Sequence, residues 1–336
     1  MEHLWFFIVA CLLGVYVVLD GFDIGAGILH FRVSKSADER EAVIRSIGPV
    51  WDGNEVWLIA TGGVLVLAFP ALYARSFSGF YLPLMIVLWL LLFRALGIEL
   101  RHQLHHRLWE QFWDVVFSGS SLLLAVFFGA ALGNVVRGVD MNERGEFFAP
   151  LWTNFAVGPH PGILDWYTIL TALTAVGALA QHGALWLIMR VQGEVRLRSQ
   201  TTLARLWPIV MLLAALTTAA TYVVQPQMRH NLGAHPLGWI APALSVGGLL
   251  GIRWGASRER WQFAFGASSM FLFGMLLSAA FAIYPYVLPA RDHALGLTLE
   301  RAASSPYGLQ VALYWFVPGM ILAVGYSIYN YRAWLD

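Results

Sequence analysis

Long apolar runs constrain the fold of this chain more than any other feature of its sequence. Nine stretches are long enough to cross a hydrocarbon layer about 30 Å thick, which takes roughly 20 helical residues. Charged residues make up only 12% of the 336 positions, whereas about a quarter of a soluble domain is charged. We therefore predict transmembrane spans near residues 4–30, 54–73, 78–100, 115–137, 165–190, 205–224, 237–253, 262–288 and 308–331.

The predicted fold class is an all-α integral membrane protein with about nine transmembrane helices. Residues 1–336 are expected to form one polytopic membrane domain, because the longest connection, about 138–164, is short and rich in Gly and Pro. The first run exceeds a signal-peptide core and has no basic segment before it, so we expect it to remain as a helix. The run near 237–253 gives the weakest signal, since Pro242 and several glycines interrupt it.

Positive charges predict how the chain crosses the membrane. Of the 21 Lys and Arg residues, fourteen fall on the side of the connection between the first two spans and six on the other side. The remaining cation, Arg94, lies inside a span. Because cytoplasmic loops carry an excess of Lys and Arg, we expect the N-terminus outside and the C-terminus in the cytoplasm.

The composition also excludes several kinds of site. Cys11 is the only cysteine and lies in the first span, so the chain cannot form an internal disulfide or a thiolate metal site. A net charge of +1 and the lack of a basic tract give no sign of nucleic-acid binding. Haem iron needs axial ligands such as His on facing helices, and only His182 lies deep in a span. A lone histidine there is typical of hydrogen-bonded packing, so we expect this chain to ligate no haem or metal.

Ionisable residues recur at one predicted depth on three consecutive spans. They are Asp20, Asp23, Asp52, Glu55, Arg94 and Glu99. Each carboxylate pair on the first two spans is spaced i, i+3, which places both members on one helix face. A lone Asp or Arg at mid-span costs about 2.5–3.5 kcal/mol on insertion scales, so other groups must compensate these charges.

Three explanations of these charges are open. In the first, Arg94 neutralises part of a structural ion cluster whose other members reach cytoplasmic water. In the second, the carboxylates outnumber their counter-cation and form a route for protons or other cations. The third, direct metal ligation, is the least favoured, because no histidine accompanies the cluster.

Small and aromatic residues accompany the acidic motifs. Gly21 and Gly25 form a G-x-x-x-G step, which allows the backbone of another helix to approach closely. Trp51 and Trp57 fit an aromatic belt at the membrane surface, or they line a site beside the acidic residues.

Several motifs occur in order along nearly the whole chain. They are DGFDIGAG at 20–27, GPVWDGNEVWLIATGG at 48–63, SGFYLPL at 78–84, FRALGIELR at 93–101, HGA at 182–184 and SSPYGLQ at 304–310. The D-G-F-D and W-D-G-N-x-V-W-L patterns are long and chemically unusual. Together these motifs resemble subunit II of the cytochrome bd quinol oxidases, including the cyanide-insensitive type.

The resemblance implies an architecture and a set of partners. Two four-helix bundles plus one peripheral helix would pair with a haem-bearing subunit I in a prokaryotic inner membrane. The complex would oxidise quinol and reduce O2 to water, generating a proton gradient without pumping. Subunit I would hold two b-type haems and one d-type haem, and a structural quinone is present in some members. Small single-span accessory subunits and membrane lipid are further expected partners.

The resemblance also assigns roles to individual residues. It places Asp20, Asp23, Asp52 and Arg94 on a proton route from the cytoplasm. Trp57 matches a tryptophan that lines a proposed oxygen path in some members. The acidic residues would then lie at the membrane surface because protons must be drawn into a low-dielectric interior toward a haem on the partner chain.

Other residues of the same motifs are compared with the residues at the matching positions of the family. Glu99 matches a position that is acidic elsewhere in the family, whereas Glu55 stands where other members have glutamine. Trp51 and Asn54 are expected along the oxygen path or at the subunit interface. We expect no catalytic residue in this chain, which would support assembly, haem incorporation and access of protons and oxygen.

Two other functions stay open at this point. A proton-coupled membrane transporter could use the same acidic cluster, and it would be purified without a haem-bearing partner. A purely structural scaffold of the oxidase would keep wild-type turnover after the acidic residues are neutralised.

Overall fold

The computed structural model describes residues 1–335, and most of these residues are helical. The α-helices are α1 (Glu2–Val33), α2 (Ala37–Ile47), α3 (Trp51–Ala68), α4 (Pro70–Gly79), α5 (Tyr81–Leu100), α6 (Arg107–Arg137), α7 (Trp166–Arg190), α8 (Glu194–Val224), α9 (Pro226–Ala234), α10 (Ile240–Ser257), α11 (Trp261–Ile283), α12 (Leu299–Ala302) and α13 (Pro306–Leu335). Two short strands, β1 (Tyr286–Leu288) and β2 (Leu297–Thr298), pair antiparallel.

Eight helices in the described part of the chain are long and apolar enough to cross a membrane. They are α1, α5, α6, α7, α8, α10 with the turn before it, α11 and α13. The bent pair of α3 and α4 makes a ninth span if it is counted as one. The predicted all-α membrane fold of about nine helices is therefore confirmed, whereas its division into two four-helix bundles stays a prediction.

The second predicted span, 54–73, does not continue as one straight helix. The helix α3 ends at Ala68, and α4 begins at Pro70 after a bend of 117°. Proline lacks a backbone N–H and disfavours helical geometry in the residue before it, here Phe69. Pro70 is instead well suited to the first position of a new helix.

Several other predicted boundaries are also displaced, for physical reasons. The helices α6 and α8 begin at Arg107 and Glu194, well before the predicted starts at 115 and 205. Their first turns carry charged residues, which lower the local hydropathy without ending the helix. The helix α11, in contrast, ends earlier than predicted, at Ile283 rather than near 288, because Pro285 cannot continue a helix.

The short helix α2 has no counterpart among the predicted spans. Its Ser36 hydroxyl accepts from the backbone N–H of Glu39, while the Glu39 side chain accepts from the backbone N–H of Ser36. This reciprocal arrangement is a capping box, and it fixes the start of a helix that lies between two spans.

Loops at one end of the molecule, where α1 begins, are bonded to one another. We name this the near end. The backbone N–H of Ala149 donates to the carbonyl of Gly79, and that of Ser304 donates to the carbonyl of Ala68. The connection 138–164 therefore meets the end of α4, and the start of α13 meets the end of α3.

The opposite end, where α1 finishes, is held in the same way, and we name it the far end. The indole of Trp186 donates to the carbonyl of Ser46 at 3.1 Å. Arg198 at the start of α8 donates to Glu39 of α2 at 2.8 Å. Because α3 starts beside α2 and finishes at the near end, it runs the full length of the molecule.

The helices α1 and α7 approach each other closely. A Cβ atom added at Gly25 would overlap the carbonyl oxygen of Leu179 and lie 2.7 Å from the backbone nitrogen of Gly183. One added at Gly21 would lie 3.0 Å from Cδ2 of Leu179. The predicted packing role of Gly21 and Gly25 is consistent with this geometry. The helix α7 is also the most enclosed span, with 78% of its most apolar window buried.

Candidate functional site

The first two acidic residues lie in the interior of the protein, on the face of α1 that packs inward. Asp20 and Asp23 have 0% and 1% of their surface exposed. They are one turn apart, as their spacing predicts. Asp20 lies 13 residues from the end of α1 at Val33, about 20 Å along the helix axis. Both carboxylates are therefore deep inside the protein, in the half of α1 nearer the far end.

Arg94 of α5 is the cation of this cluster. Its guanidinium is fully buried, and Nη2 lies 2.7 Å from Oδ1 of Asp20. The same nitrogen donates a hydrogen bond to Oε1 of Glu55 on α3. Three helices therefore contribute to one ion cluster, in which the carboxyl groups of Asp20 and Glu55 share a single guanidinium and that of Asp23 lies buried one turn along α1. If every group were ionised, the cluster would carry excess negative charge in a low-dielectric interior.

Asp23 is held by a different partner. The amide Nδ2 of Asn54 donates to Oδ2 of Asp23 at 2.7 Å and to the carbonyl of Leu19 at 3.1 Å. The hydroxyl of Tyr331 on α13 donates to Oδ1 of the same asparagine at 2.8 Å. A chain of hydrogen bonds thus leads from the last helix to the buried carboxylate.

Many polar atoms of the cluster have no hydrogen-bond partner within the described chain. They are the Tyr16 hydroxyl, Oδ2 of Asp20, Oδ1 of Asp23, and Nε and Nη1 of Arg94, whereas Oδ1 of Asp20 is ion-paired with Nη2 of Arg94. Buried polar groups are usually hydrogen bonded, so their concentration here marks an unusual part of the core. Tyr16 lies one turn before Asp20 on α1 and packs with Trp57.

Two predicted members of the cluster lie elsewhere. Asp52 and Glu99 are both exposed, so neither joins the buried cluster, and their place on a proton route stays a prediction. Asp52 lies in the first turn of α3, where its carboxylate accepts from the backbone N–H of Gly53 at 2.7 Å. Glu99 follows Arg94 by five residues, which turns it about 140° around the helix and away from the cluster.

The aromatic residues of the W-D-G-N motif divide between two positions. Trp57 is 7% exposed and packs against Leu12 and Tyr16, and Tyr16 lies one turn before Asp20 on α1. Trp51 is partly buried and packs on the main hydrophobic core. Asn54 lies between them on α3 and contacts Asp23 directly.

A second buried ion network was missed by the sequence analysis. Asp114 of α6 accepts from His30 at 2.9 Å, from Arg101 at 2.7 Å and from Arg40 at 2.9 Å. Arg101 also bonds to Glu41 of α2. This network lies nearer the far end than Asp23 and joins α1, α2, α5 and α6. The predicted span from 115 placed Asp114 in a loop, so its burial was not expected.

The His182 side chain is held by two hydrogen bonds and by ring stacking. Its Nε2 lies 3.0 Å from the carbonyl of Val18, which can only accept, so Nε2 carries the proton. Nδ1 then accepts from the hydroxyl of Ser268 at 3.0 Å. The ring also stacks on Phe265. Among residues 1–335, no group of three or more His, Cys, Asp or Glu side chains is placed to hold a metal ion.

Comparison with known proteins identifies similar chains over the full length. The family model described as "Cytochrome bd terminal oxidase subunit II" matches residues 1–334. The "Probable cytochrome oxidase subunit 2" of Haemophilus influenzae is 31% identical, over 98% of this chain and 93% of that protein. The "Cytochrome bd-I ubiquinol oxidase subunit 2" of Escherichia coli is 31% identical, over 93% of this chain and 88% of that protein.

A solved structure supports the fold independently of sequence. A chain in "The structure of bd oxidase from Geobacillus thermodenitrificans" superposes with a TM-score of 0.79. The match covers 99% of this chain and 98% of that chain at 17% sequence identity. At this identity the likeness shows a shared fold.

Proposed function

The chain belongs to the family of subunit II of the cytochrome bd terminal oxidases, and we propose that its buried acidic cluster carries protons toward a haem-bearing partner subunit. Membership makes it a multi-pass protein of the bacterial inner membrane. It also makes the chain a component of a haem-containing complex that oxidises quinol and reduces O2. The remaining question is what this chain's own residues contribute.

One observation carries the proposal: two carboxyl groups share a single guanidinium, and a third, that of Asp23, lies buried one turn along α1 from Asp20. Asp20, Asp23 and Glu55 outnumber Arg94, and Oδ2 of Asp20 and Oδ1 of Asp23 accept no hydrogen bond from the described chain. Unpaired charge inside a membrane is costly and is characteristic of ion and proton routes. A proton bound to one carboxylate would reduce the excess negative charge without requiring another cation.

The exposed carboxylate of Asp52 is the natural outer member of this route. It lies at the start of α3, one turn before Glu55, and both project from the same side of that helix. We assign this end of the molecule to the cytoplasm, because most Lys and Arg residues lie in the loops of the far end. Protons would then pass from Asp52 to the interior carboxylates. Glu99 is not part of this proposed route.

The partner subunit supplies the redox chemistry in this proposal. It would hold two b-type haems and one d-type haem, take electrons from quinol and deliver them to O2. This chain would hold protons at Asp20, Asp23 and Glu55 and keep Arg94 as their fixed counter-charge. Trp57 and Trp51 would lie along an oxygen path or the subunit interface. A structural quinone and small accessory subunits complete the proposed complex.

A structural role for the cluster is the competing explanation within the same family. The direct contact of Arg94 with Asp20 and Glu55 favours it, because a buried ion pair can tie three helices together. Membership in the oxidase family leaves a free-standing transporter without support. The two remaining explanations differ in what happens when one carboxylate becomes an amide.

The test is Asp23→Asn in the purified complex, with turnover expressed per haem. Loss of a positioned proton carrier is expected to lower turnover at least about tenfold, since such groups commonly contribute 10²–10⁴. Asp38→Asn, which changes an exposed carboxylate on α2, is the matched control and should leave turnover unchanged. Wild-type turnover per haem in the Asp23 variant would leave the cluster with a structural role only.

A further inference from the structure

The C-terminal helix is bonded to the acidic cluster through one side chain. Tyr331 lies on α13, which packs on α1 and α3 but is largely exposed along its length. Its hydroxyl donates to Oδ1 of Asn54, a residue 277 positions earlier in the chain. Asn54 in turn donates to Asp23. A peripheral helix therefore contacts the interior of the site by a specific polar chain.

The orientation of the Asn54 amide is determined by its three contacts. The carbonyl of Leu19 can only accept, so the NH2 group must face it. The same NH2 group also reaches Oδ2 of Asp23. The amide oxygen is thereby turned toward α13, where the Tyr331 hydroxyl is its donor. Flipping the amide would place its oxygen against the Leu19 carbonyl and against the carboxylate.

This orientation makes the two oxygens of Asp23 different. Oδ2 accepts from the Asn54 amide at 2.7 Å, so a proton on that oxygen would oppose the amide N–H. Oδ1 is buried and has no hydrogen-bond partner in the described chain. The geometry leaves Oδ1 as the oxygen able to take a proton without breaking an existing hydrogen bond.

We propose that Tyr331 is a positioning residue that locks Asn54 and so directs proton uptake by Asp23 to its Oδ1 atom. A proton passed along the acidic route would bind Oδ1 and convert the carboxylate to the acid, and it would leave from the same atom. The proposal rests on the proton role proposed above for the cluster. The charged groups around this carboxylate are Asp20 on α1, Glu55 on α3 and Arg94 on α5.

The experiment compares two Tyr→Phe changes on the same helix in the purified haem-loaded complex. Tyr331→Phe keeps the ring and removes the donor to Asn54, whereas Tyr329→Phe removes a hydroxyl from a side chain that is 69% exposed. We expect Tyr331→Phe to lower kcat per haem about fivefold, the size of one neutral hydrogen bond. KM for quinol should not change. The solvent deuterium isotope effect on kcat should rise, because a proton step becomes limiting. Tyr329→Phe should match wild type.

Infrared difference spectra provide a readout that a packing defect would not reproduce. The carboxylic-acid band that disappears in Asp23→Asn is expected to shift in Tyr331→Phe and to stay in place in Tyr329→Phe. Expressing turnover per haem removes the effect of incomplete assembly. An unshifted band with a wild-type isotope effect in Tyr331→Phe would overturn the positioning role. If Asp23→Asn itself kept full turnover, the proton function would fail first, independently of Tyr331.

Discussion

At the scale of single residues, Asp114 is a buried carboxylate with three basic partners. It is fully buried and contacts His30, Arg40 and Arg101. Asp114→Asn keeps the shape but removes the negative charge, which leaves the nearly buried Arg101 with Glu41 as its remaining carboxylate. We expect a loss of about 3–5 kcal/mol in stability, typical of breaking a buried ion pair. The thermal unfolding midpoint of the purified complex measures this loss.

The matched control for that prediction is an exposed carboxylate far from the network. Glu143 lies in the loop after α6, and Glu143→Gln should leave the midpoint within error of wild type. Equal midpoints for Asp114→Asn and Glu143→Gln would mean that the network does not stabilise the fold.

The residues of the site differ in how far the sequence could predict them. Asp20, Asp23 and Arg94 were predictable, because charges inside apolar runs are conspicuous and must find partners. Glu99 does not join the buried cluster, because helical rotation over five residues carries it to another face than Arg94. Tyr331 gave no signal at all, since an aromatic residue near a span end is ordinary in a membrane protein. Its contact depends on where the last helix packs.

At the scale of helices, the contact between α1 and α7 depends on the absence of a side chain. Gly25→Ala would place Cβ against the backbone of Leu179 and Gly183, where neither neighbour can move without shifting a helix. Overpacking of this kind costs about 1–3 kcal/mol or more. We therefore expect less assembled complex per cell and a lower thermal midpoint. Gly266→Ala on α11, whose added Cβ meets nothing within 4 Å, is the control.

Comparison of the Gly25 and Gly266 variants also gives the result that would contradict the packing role. If Gly25→Ala assembled and unfolded like Gly266→Ala, the close approach of α1 and α7 would not limit stability. A gradual series is also informative, because Gly25→Val should be more damaging than Gly25→Ala if sterics are the cause.

Helices were predictable in number and type but less so in their ends. Apolar runs of about 20 residues identify spans reliably, because the bilayer sets their length. The break after Ala68 was missed because Phe69 and Pro70 occur within a region that stays apolar on average. The helix α2 was missed for the opposite reason, since its polar surface carries no hydropathy signal and its capping box specifies only a start.

At the scale of the whole molecule, the bend after α3 raises the question of whether this segment crosses the membrane. The helix has 18 residues, about 27 Å at 1.5 Å per residue, which nearly matches the hydrocarbon layer. Its start lies beside α2 at the far end, and its last carbonyl accepts from Ser304 at the near end. The helix α4 then leads into a contact of Gly79 with Ala149 in the connection 138–164. If the near and far ends lie on opposite sides of the membrane, α3 alone completes the crossing.

Single cysteines read out that crossing directly, after Cys11→Ser removes the one native thiol. Asp38→Cys, Ser78→Cys and Glu143→Cys each place a thiol at an exposed position. If α3 crosses and the basic far end is cytoplasmic, a membrane-impermeant maleimide should label 78 and 143 in intact spheroplasts. It should label 38 only after permeabilisation.

Labelling 38 and 78 together would mean that α3 returns to its starting side, which would leave eight spans and both termini on one side. Labelling 38 alone would keep the crossing and invert the orientation, moving the exposed carboxylate of Asp52 to the outer surface and removing the cytoplasmic proton source.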